Sequence, residues 1–339
     1  MKAIVLVGGF GTRLRPLTLR APKQMLPMGR TTMVEQVVAR LGSFGVTEVV
    51  LSLGYQPDAF QAAFPHAVCA GVRLVYAVEP EPLDTAGAIR FAYDAAGYDE
   101  RVLALNGDVL TDLDVGDLWA RHEAFGGEAT IALTPVADPS RYGVVGTADD
   151  GRVVAFIEKP PPGTAPSNWI NAGTYVLEPA FLARVAPGVR TSIERDIFPA
   201  VADAQRLFAV PSDAYWIDAG TPEAYVQAHL DLLDGRREGG PQEGVHPGAT
   251  VDPTAKVQRS FVGDGCTVGA DAEVVDAVLM DDVVVGDGAR VERSVVGAGG
   301  TVAAGASVTD LSVVGFGGRV GEREVVAGGL VPPPEDWDV

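Results

Sequence analysis

Up to about residue 232, apolar positions follow two alternating rhythms. Short β-rich runs at 3–7, 48–53, 74–78, 102–105, 130–133, 153–157 and 172–177 read as strands. Stretches with apolar positions three and four apart, at 32–44, 85–95, 115–124, 179–186 and 222–234, read as amphipathic helices. Strands alternating with helices predict an α/β domain with a doubly wound, Rossmann-like, largely parallel sheet and helices on both faces. Ligands of such sheets bind outside the carboxyl ends of the strands. The loops after Val7 and Leu105 are therefore the first places to look for a site.

After residue 234 the rhythm changes. Residues 235–244 (GRREGGPQEG) are polar and Gly-rich and read as a linker. Apolar residues then recur every six positions: Val245, Val251, Val257; Val262, Val268, Val274; Leu279, Val285, Val291; Val296, Val302, Val308. Each triplet starts five residues after the last, so the pattern repeats every 17, in the column Val245, Val262, Leu279, Val296, Val313. Three short strands per repeat, each sending one apolar residue inward, predict a left-handed parallel β-helix. Glycine often follows the inward residue (Gly263, Gly269, Gly286, Gly297, Gly315, Gly321), where a corner needs positive φ or close backbone approach. The expected organisation is a catalytic domain at 1–234, a linker at 235–244 and a β-helix at 245–330.

Composition narrows the function. The net charge of −19 argues against nucleic acid or an anionic membrane as the main partner. No stretch approaches the ~20 apolar residues that span a bilayer. The first residues read as a buried strand and not a secretory signal. Two cysteines, Cys69 and Cys266, form no disulfide framework or zinc pattern, although one disulfide stays open, and the expected compartment is the cytoplasm. Against this acidity, Arg13, Arg15, Arg20 and Lys23 make a positive island that suits a small anionic ligand. The chain's only lysines are Lys2, Lys23, Lys159 and Lys256, and Lys23 and Lys159 both sit beside or near proline in loop-like settings.

Residues 7–18 (VGGFGTRLRPLT) combine a strand end, a Gly-rich turn and two arginines, a composition that lets backbone N–H groups and guanidinium forks approach a phosphate chain. Leu14 occupies the place of the last glycine of a dinucleotide fingerprint, and no Gly-Lys-Ser/Thr follows, so neither a dehydrogenase nor a P-loop is indicated. Asp108 in LALNGDVL and Asp218 in YWIDAGTP stand at strand-to-loop junctions, where a carboxylate either caps a turn or takes part in holding a hard cation.

Taken in order, GGFGTRLRPLT, PKQMLP, NGD, YGVV, FIEKP, NAGTYVLEP and WIDAGTPEAY resemble the sugar-1-phosphate nucleotidyltransferases. TSIERDIFP and the hexapeptide tail are most similar to the mannose-1-phosphate guanylyltransferase branch. The resemblance implies transfer of a nucleoside monophosphate, GMP from GTP first, to a sugar 1-phosphate, with Mg²⁺ on Asp108 and Asp218. It places Leu6, Gly8, Gly9, Gly11, Thr12, Arg13, Lys23, Asp84, Thr85, Gly87 and Asn106 on the nucleotide. Arg13 and Lys23 face its phosphates, and 83–87 (LDTAG) borders the base. Gly143, Glu158, Lys159, Asn171 and Thr174 fall to the sugar phosphate. Arg13, Lys23, Asp108 and Asp218 form the implied catalytic set.

Two departures from the family pattern affect the scaffold of the nucleotide loop. Gln24 replaces the proline that commonly follows the lysine, and GRTTM replaces a Gly-Lys/Arg-Pro turn. Asp84 stands where guanylyltransferases usually have glycine; it either accepts from the guanine edge or caps the following helix. Mannose, glucose, a heptose or a cyclitol 1-phosphate, and thymidylyl, uridylyl or adenylyl transfer, stay open alternatives, as does a non-catalytic subunit that binds a nucleotide sugar. His66, His122, His229 and His246 lie outside every motif and read as structural or surface residues. The β-helix is expected to mediate a homo-oligomer.

Overall fold

The computed structural model describes residues 1–54 and 56–337. Two compact units form, and they do not follow chain order: Met1–Gly9 with Val34–Trp216, and Phe10–Met33 with Ile217–Val339.

The first unit is built on a sheet of ten strands: β1 (Lys2–Leu6), β2 (Glu48–Leu53), β3 (Val68–Cys69), β4 (Val72–Val78), β5 (Val102–Asn106), β6 (Ala129–Pro135), β7 (Gly143–Thr147), β8 (Val153–Glu158), β9 (Trp169–Leu177) and β10 (Leu207–Pro211). Their order is β8-β7-β9-β5-β1-β2-β4-β3, with β6 beside β9 and β10 beside β6. The centre, β5-β1-β2-β4, is parallel, and Ala3, Ile4 and Val5 of β1 are wholly buried, as a strand covered on both faces requires. Beyond β5 the largely parallel expectation gives way to a mixed sheet, because β9 runs antiparallel to β5, β6 and β7. A register shift between Asn171 and Tyr175 lets this one strand serve several partners. Among the helices are α1 (Met33–Ser43), α2 (Pro57–Ala63), α3 (Asp84–Ala95), α4 (Val115–Phe125) and α5 (Phe198–Asp203). Asp114 caps α4 by accepting from Asp117 N, and Gly126 ends it at φ +64°. The expected helix at 179–186 is a single turn, Pro179–Leu182, whose Phe181 packs with Phe156 and Tyr175 around Phe198.

In the second unit, three parallel sheets of five strands each make the β-helix. The inward column runs Val262, Leu279, Val296, Val314. The last of these steps is thus one residue longer than the repeat predicts, with Val314 in the place expected for Val313. The cause lies at the preceding corner. Earlier coils turn there on one left-handed residue (Arg259, Asp276, Arg293), whereas the fourth uses two, Asp310 and Leu311, at φ +57° and +63°. The glycines after the inward residues answer the second of their two expected reasons, close approach: a Cβ on Gly286 would lie 2.6 Å from Ala304 N.

The third sheet, whose strands include Phe261–Val262, Val278–Leu279, Val295–Val296 and Val313–Val314, is buried on both faces. Its outward row, Phe261, Val278, Val295 and Val313, would be an exposed apolar stripe on an isolated solenoid. Helix α6 (Pro222–Leu233) and the 10–33 segment lie against it. The His229 ring meets Phe261 at 5.0 Å, Leu17 reaches Gly297, and Pro16 reaches Gly315. Thr221 caps α6, and the Tyr225 hydroxyl donates to Pro27 O. The 235–244 segment is pinned at both ends: Gln242 N donates to Leu232 O, and Arg236 lies 3.4 Å from Asp231.

Both cysteines are free and buried, and burial pushes their thiols up, Cys69 to about 12 and Cys266 to about 11. Among the described residues no helix is long and apolar enough to cross a membrane.

Burial lowers His229 to about 4. The unfolded chain binds this proton below about pH 6.5 while the folded chain does not until about pH 4. Stability carried by neutral His229 is therefore complete above 6.5 and is lost as pH falls from there toward 4. Urea denaturation across that window is expected to show the slope, at up to about 1.4 kcal/mol per pH unit, and His229→Gln to flatten it.

Candidate active site

In the first unit, parallel strands end in register. Leu6 of β1 pairs with Ser52 of β2 on one side and Asn106 of β5 on the other. The loops that leave these ends approach so closely that a Cβ would be crowded. A Cβ on Gly8 would lie 3.1 Å from Gly54 N, and one on Gly107 would lie 2.8 Å from Leu6 O, to which Gly107 N donates. Asp108 follows directly on this turn, and Gly9 ends the unit's first segment.

The 83–87 segment is fastened to 189–195. Ala86 N and Gly87 N both donate to Thr191 O, and a Cβ on Gly87 would strike Val189 O at 2.7 Å. The Thr85 hydroxyl donates to Glu194 Oε2 at 2.9 Å and accepts from Ile193 N at 2.8 Å. Asp84 sits at φ +59°, a conformation glycine adopts without cost. Its carboxylate accepts from Thr85 N through Oδ1 and pairs with Arg195 through Oδ2 at 2.8 Å. The helix's N-cap is Leu83, so Asp84 does not cap α3 in the usual manner.

A second group surrounds the irregular part of β9. Gly173, at φ +73°, leaves room for the Asn106 amide, which a Cβ would meet at 2.6 Å. The Asn171 amide spans the bulge, accepting from Gly173 N and donating to the Tyr175 hydroxyl, while Thr174 is buried opposite Leu105. Gly143 is paired with Glu158 across β7 and β8, and a Cβ there would lie 3.0 Å from Glu158 Oε2. Glu158 Oε1 is 3.1 Å from Lys159 Nζ. Lys159 itself has φ +48° directly before a proline, a strained backbone of the kind that persists where the side chain's direction matters. Tyr142 and Trp216 meet edge to face at 5.7 Å, and the indole donates to Ala172 O.

In the second unit, Gly11 turns the loop at φ +60° and packs so tightly that a Cβ would lie 2.9 Å from Thr18 and 3.1 Å from Lys23. The Thr18 hydroxyl locks the turn by donating to Gly11 O. Lys23 is buried, whereas Thr12 and Arg13 are exposed. Arg13 Nη2 lies 3.8 Å from Asp218 Oδ2, and Gly220 leaves space for both: its Cβ would meet Asp218 Oδ1 at 2.7 Å and Arg13 Nη2 at 2.8 Å. The Gly29–Arg30 turn joins a two-residue hairpin in which Pro27 pairs with Thr32, so GRTTM still makes a tight reversal. Gln24 is buried with its Oε1 unpartnered among the described residues, a polar cost inside the turn.

Sequence reasoning missed Arg195, Glu194, Gly54, Gly173 and Gly220. For the three glycines the signal was present, as glycines at strand ends or inside a strand pattern; the charged pair lies within the TSIERDIFP motif, but nothing in it tells that these side chains reach Thr85 and Asp84.

A parallel sheet whose loops leave on glycine-shaped turns is the frame of a ligand-binding α/β fold. The nucleotidyl transferase family model matches residues 2–235, and the GMPPB C-terminal domain model matches 241–336. The chain belongs to the nucleotidyl transferase family and is a sugar-1-phosphate nucleotidyltransferase. It is 38% identical to the mannose-1-phosphate guanylyltransferase of Mycobacterium tuberculosis, over 84% of this chain and 81% of that protein. It is 40% identical to a probable mannose-1-phosphate guanylyltransferase 1 of Oryza sativa, over 80% and 75%. The crystal structure of HddC from Yersinia pseudotuberculosis superposes with a TM-score of 0.58 at 28% identity, covering 67% of this chain and 97% of that one.

Gly11→Ala puts a methyl group against Lys23. It is expected to lower kcat/KM by about tenfold or more while costing roughly 1 kcal/mol of stability, read by steady-state kinetics and thermal melting. Asp84→Asn tolerates the same backbone but loses the Arg195 pair. It is expected to leave the preference for one nucleobase unchanged in competition assays, and a changed preference would assign base reading to the carboxylate.

Proposed function

We propose that the chain transfers GMP from GTP to mannose 1-phosphate, giving GDP-mannose and pyrophosphate. The observation that carries this is the 37–40% identity to several mannose-1-phosphate guanylyltransferases over 76–84% of this chain. The phosphate of a sugar 1-phosphate is already an anionic nucleophile, so no general base is needed. The obstacles are repulsion between two anions and charge growth at the α-phosphorus. Arg13 on the leaving pyrophosphate, Lys23 on the α-phosphate and Lys159 on the sugar phosphate oppose both. Gly8, Gly9, Gly11 and Thr12 offer backbone N–H groups to the phosphates, with Leu6, Asp84, Thr85, Gly87 and Asn106 around the nucleoside. Glu158 takes sugar hydroxyls, and Gly143, Asn171 and Thr174 shape the surrounding pocket, aligning attack in line with departure.

Asp108 and Asp218 suit a hard divalent cation, since both offer oxygen alone. Among the described residues no group of three or more His, Cys, Asp or Glu could hold a metal ion. A cation held by one or two carboxylates and completed by substrate phosphates fits that donor set, and this is the habit of Mg²⁺. When bound, Mg²⁺ supplies charge neutralisation on the phosphates. The reaction belongs in the cytoplasm, and the solvent-facing sheets of the β-helix carry a homo-oligomer.

Pyrophosphate release from the purified protein with Mg²⁺, run as GTP, ATP, UTP, dTTP and CTP against mannose, glucose and related 1-phosphates, tests this directly. Strong release with GTP and mannose 1-phosphate, lost in Asp108→Ala, is expected. A different productive pair renames the substrates, and binding of nucleotide sugars without release supports a non-catalytic subunit. Light scattering across micromolar concentrations is expected to give a mass above that of one chain.

A further inference from the structure

Arg15 lies two residues after Arg13 and belongs to the same positive island, but the proposed reaction gives it no group to bind. In a chain with a net charge of −19, it pairs with no carboxylate among the described residues, and its Nε is buried without a hydrogen-bond partner. Its guanidinium carbon instead lies 5.8 Å from the ring of Trp337. Trp337 comes from the segment that runs off the last coil of the β-helix. Three consecutive prolines, Pro332 to Pro334, stiffen that segment, and the indole is fixed by a 3.0 Å hydrogen bond from Nε1 to Pro332 O. The two segments also adjoin one residue further along. Gly315 N donates to Val331 O, and Pro16 packs on Gly315.

We propose that Trp337 is a positioning residue for the nucleotide loop, acting through Arg15. An aromatic face restrains a guanidinium without cancelling its charge. A carboxylate in the same place would fix Arg15 equally well, but it would subtract from the positive field that a triphosphate needs beside Arg13 and Lys23. The indole thus separates two tasks that an ion pair would combine: it holds the loop and leaves its charge intact. This rests on the reading of residues 8–23 as the nucleotide loop.

The test is steady-state kinetics on the full chain, varying GTP and mannose 1-phosphate separately in W337A and W337F. Trp337→Ala is expected to raise KM for GTP about two- to fivefold, the factor a stacked guanidinium is worth at a partly exposed site. KM for mannose 1-phosphate and the melting temperature should be unchanged, and Trp337→Phe should restore most of the loss. In the double variant with Arg15→Ala, removing Trp337 should add nothing. Equal changes in both KM values, a change without phenylalanine rescue, or additive losses would overturn the proposal. Amide hydrogen exchange of peptides spanning 10–20 is measured alongside. It should accelerate in W337A and return in W337F, and no change there would also overturn the proposal. That readout needs no turnover, so a wild-type chain silent with every substrate pair would count against the proposed reaction and leave the positioning role to be decided by exchange alone.

Discussion

The second unit depends on one unusual burial: the outward row of the third solenoid sheet. Phe261, Val278, Val295 and Val313 point away from the coil interior yet are as hidden as the core itself. Left bare, such a stripe would be an adhesive surface on a soluble solenoid. Covered by α6 and the 10–33 segment, it becomes the floor on which the Gly11–Lys23 turn is laid. Those residues form only short 3₁₀ turns, with no amphipathic face to organise them. Their shape is therefore borrowed from the sheet beneath, through Pro16 on Gly315 and Leu17 on Gly297.

The first unit solves a different problem in a different way. Its parallel strands bring backbone, more than side chains, to the same level at their carboxyl ends, and glycine at 8, 54 and 107 lets the departing loops touch. The irregular β9 then carries Asn171 and Thr174 beside Asn106. In both units close approach is bought by omitting a Cβ, and the charged groups, Arg13, Lys23 and Lys159, stand on turns whose backbone is otherwise costly or crowded.

Much of this was legible in the chain. Strict six-residue recurrence identified the solenoid because its period is a direct readout of inward-facing positions. It failed at Val313 because Leu311 adds a corner residue without breaking the local alternation. The central strands were visible as continuous apolar runs, whereas β7 opens on glycine and β3 is only two residues long, so neither stood out. The mixed half of the sheet could not be read, since β9 changes partners through a bulge that local pattern does not encode. The Asp84–Arg195 pair joins residues 111 apart, and no spacing rule reaches that far. The grouping of 10–33 with the C-terminal part was equally hidden, because adjacency in sequence to β1 suggests the opposite.

Solenoids commonly gain and lose repeats, since each coil contacts only its neighbours. Here that freedom is restricted. Helix α6 touches the first coil through His229 and Phe261, while Leu17 and Pro16 meet later coils at Gly297 and Gly315. Successive coils are spaced by about 4.8 Å, the distance between hydrogen-bonded strands. Inserting or deleting a whole coil between these anchors would slide one contact past the other by that length. The β-helix is thus a ruler, and its number of coils between Phe261 and Gly315 is set by the length it has to measure.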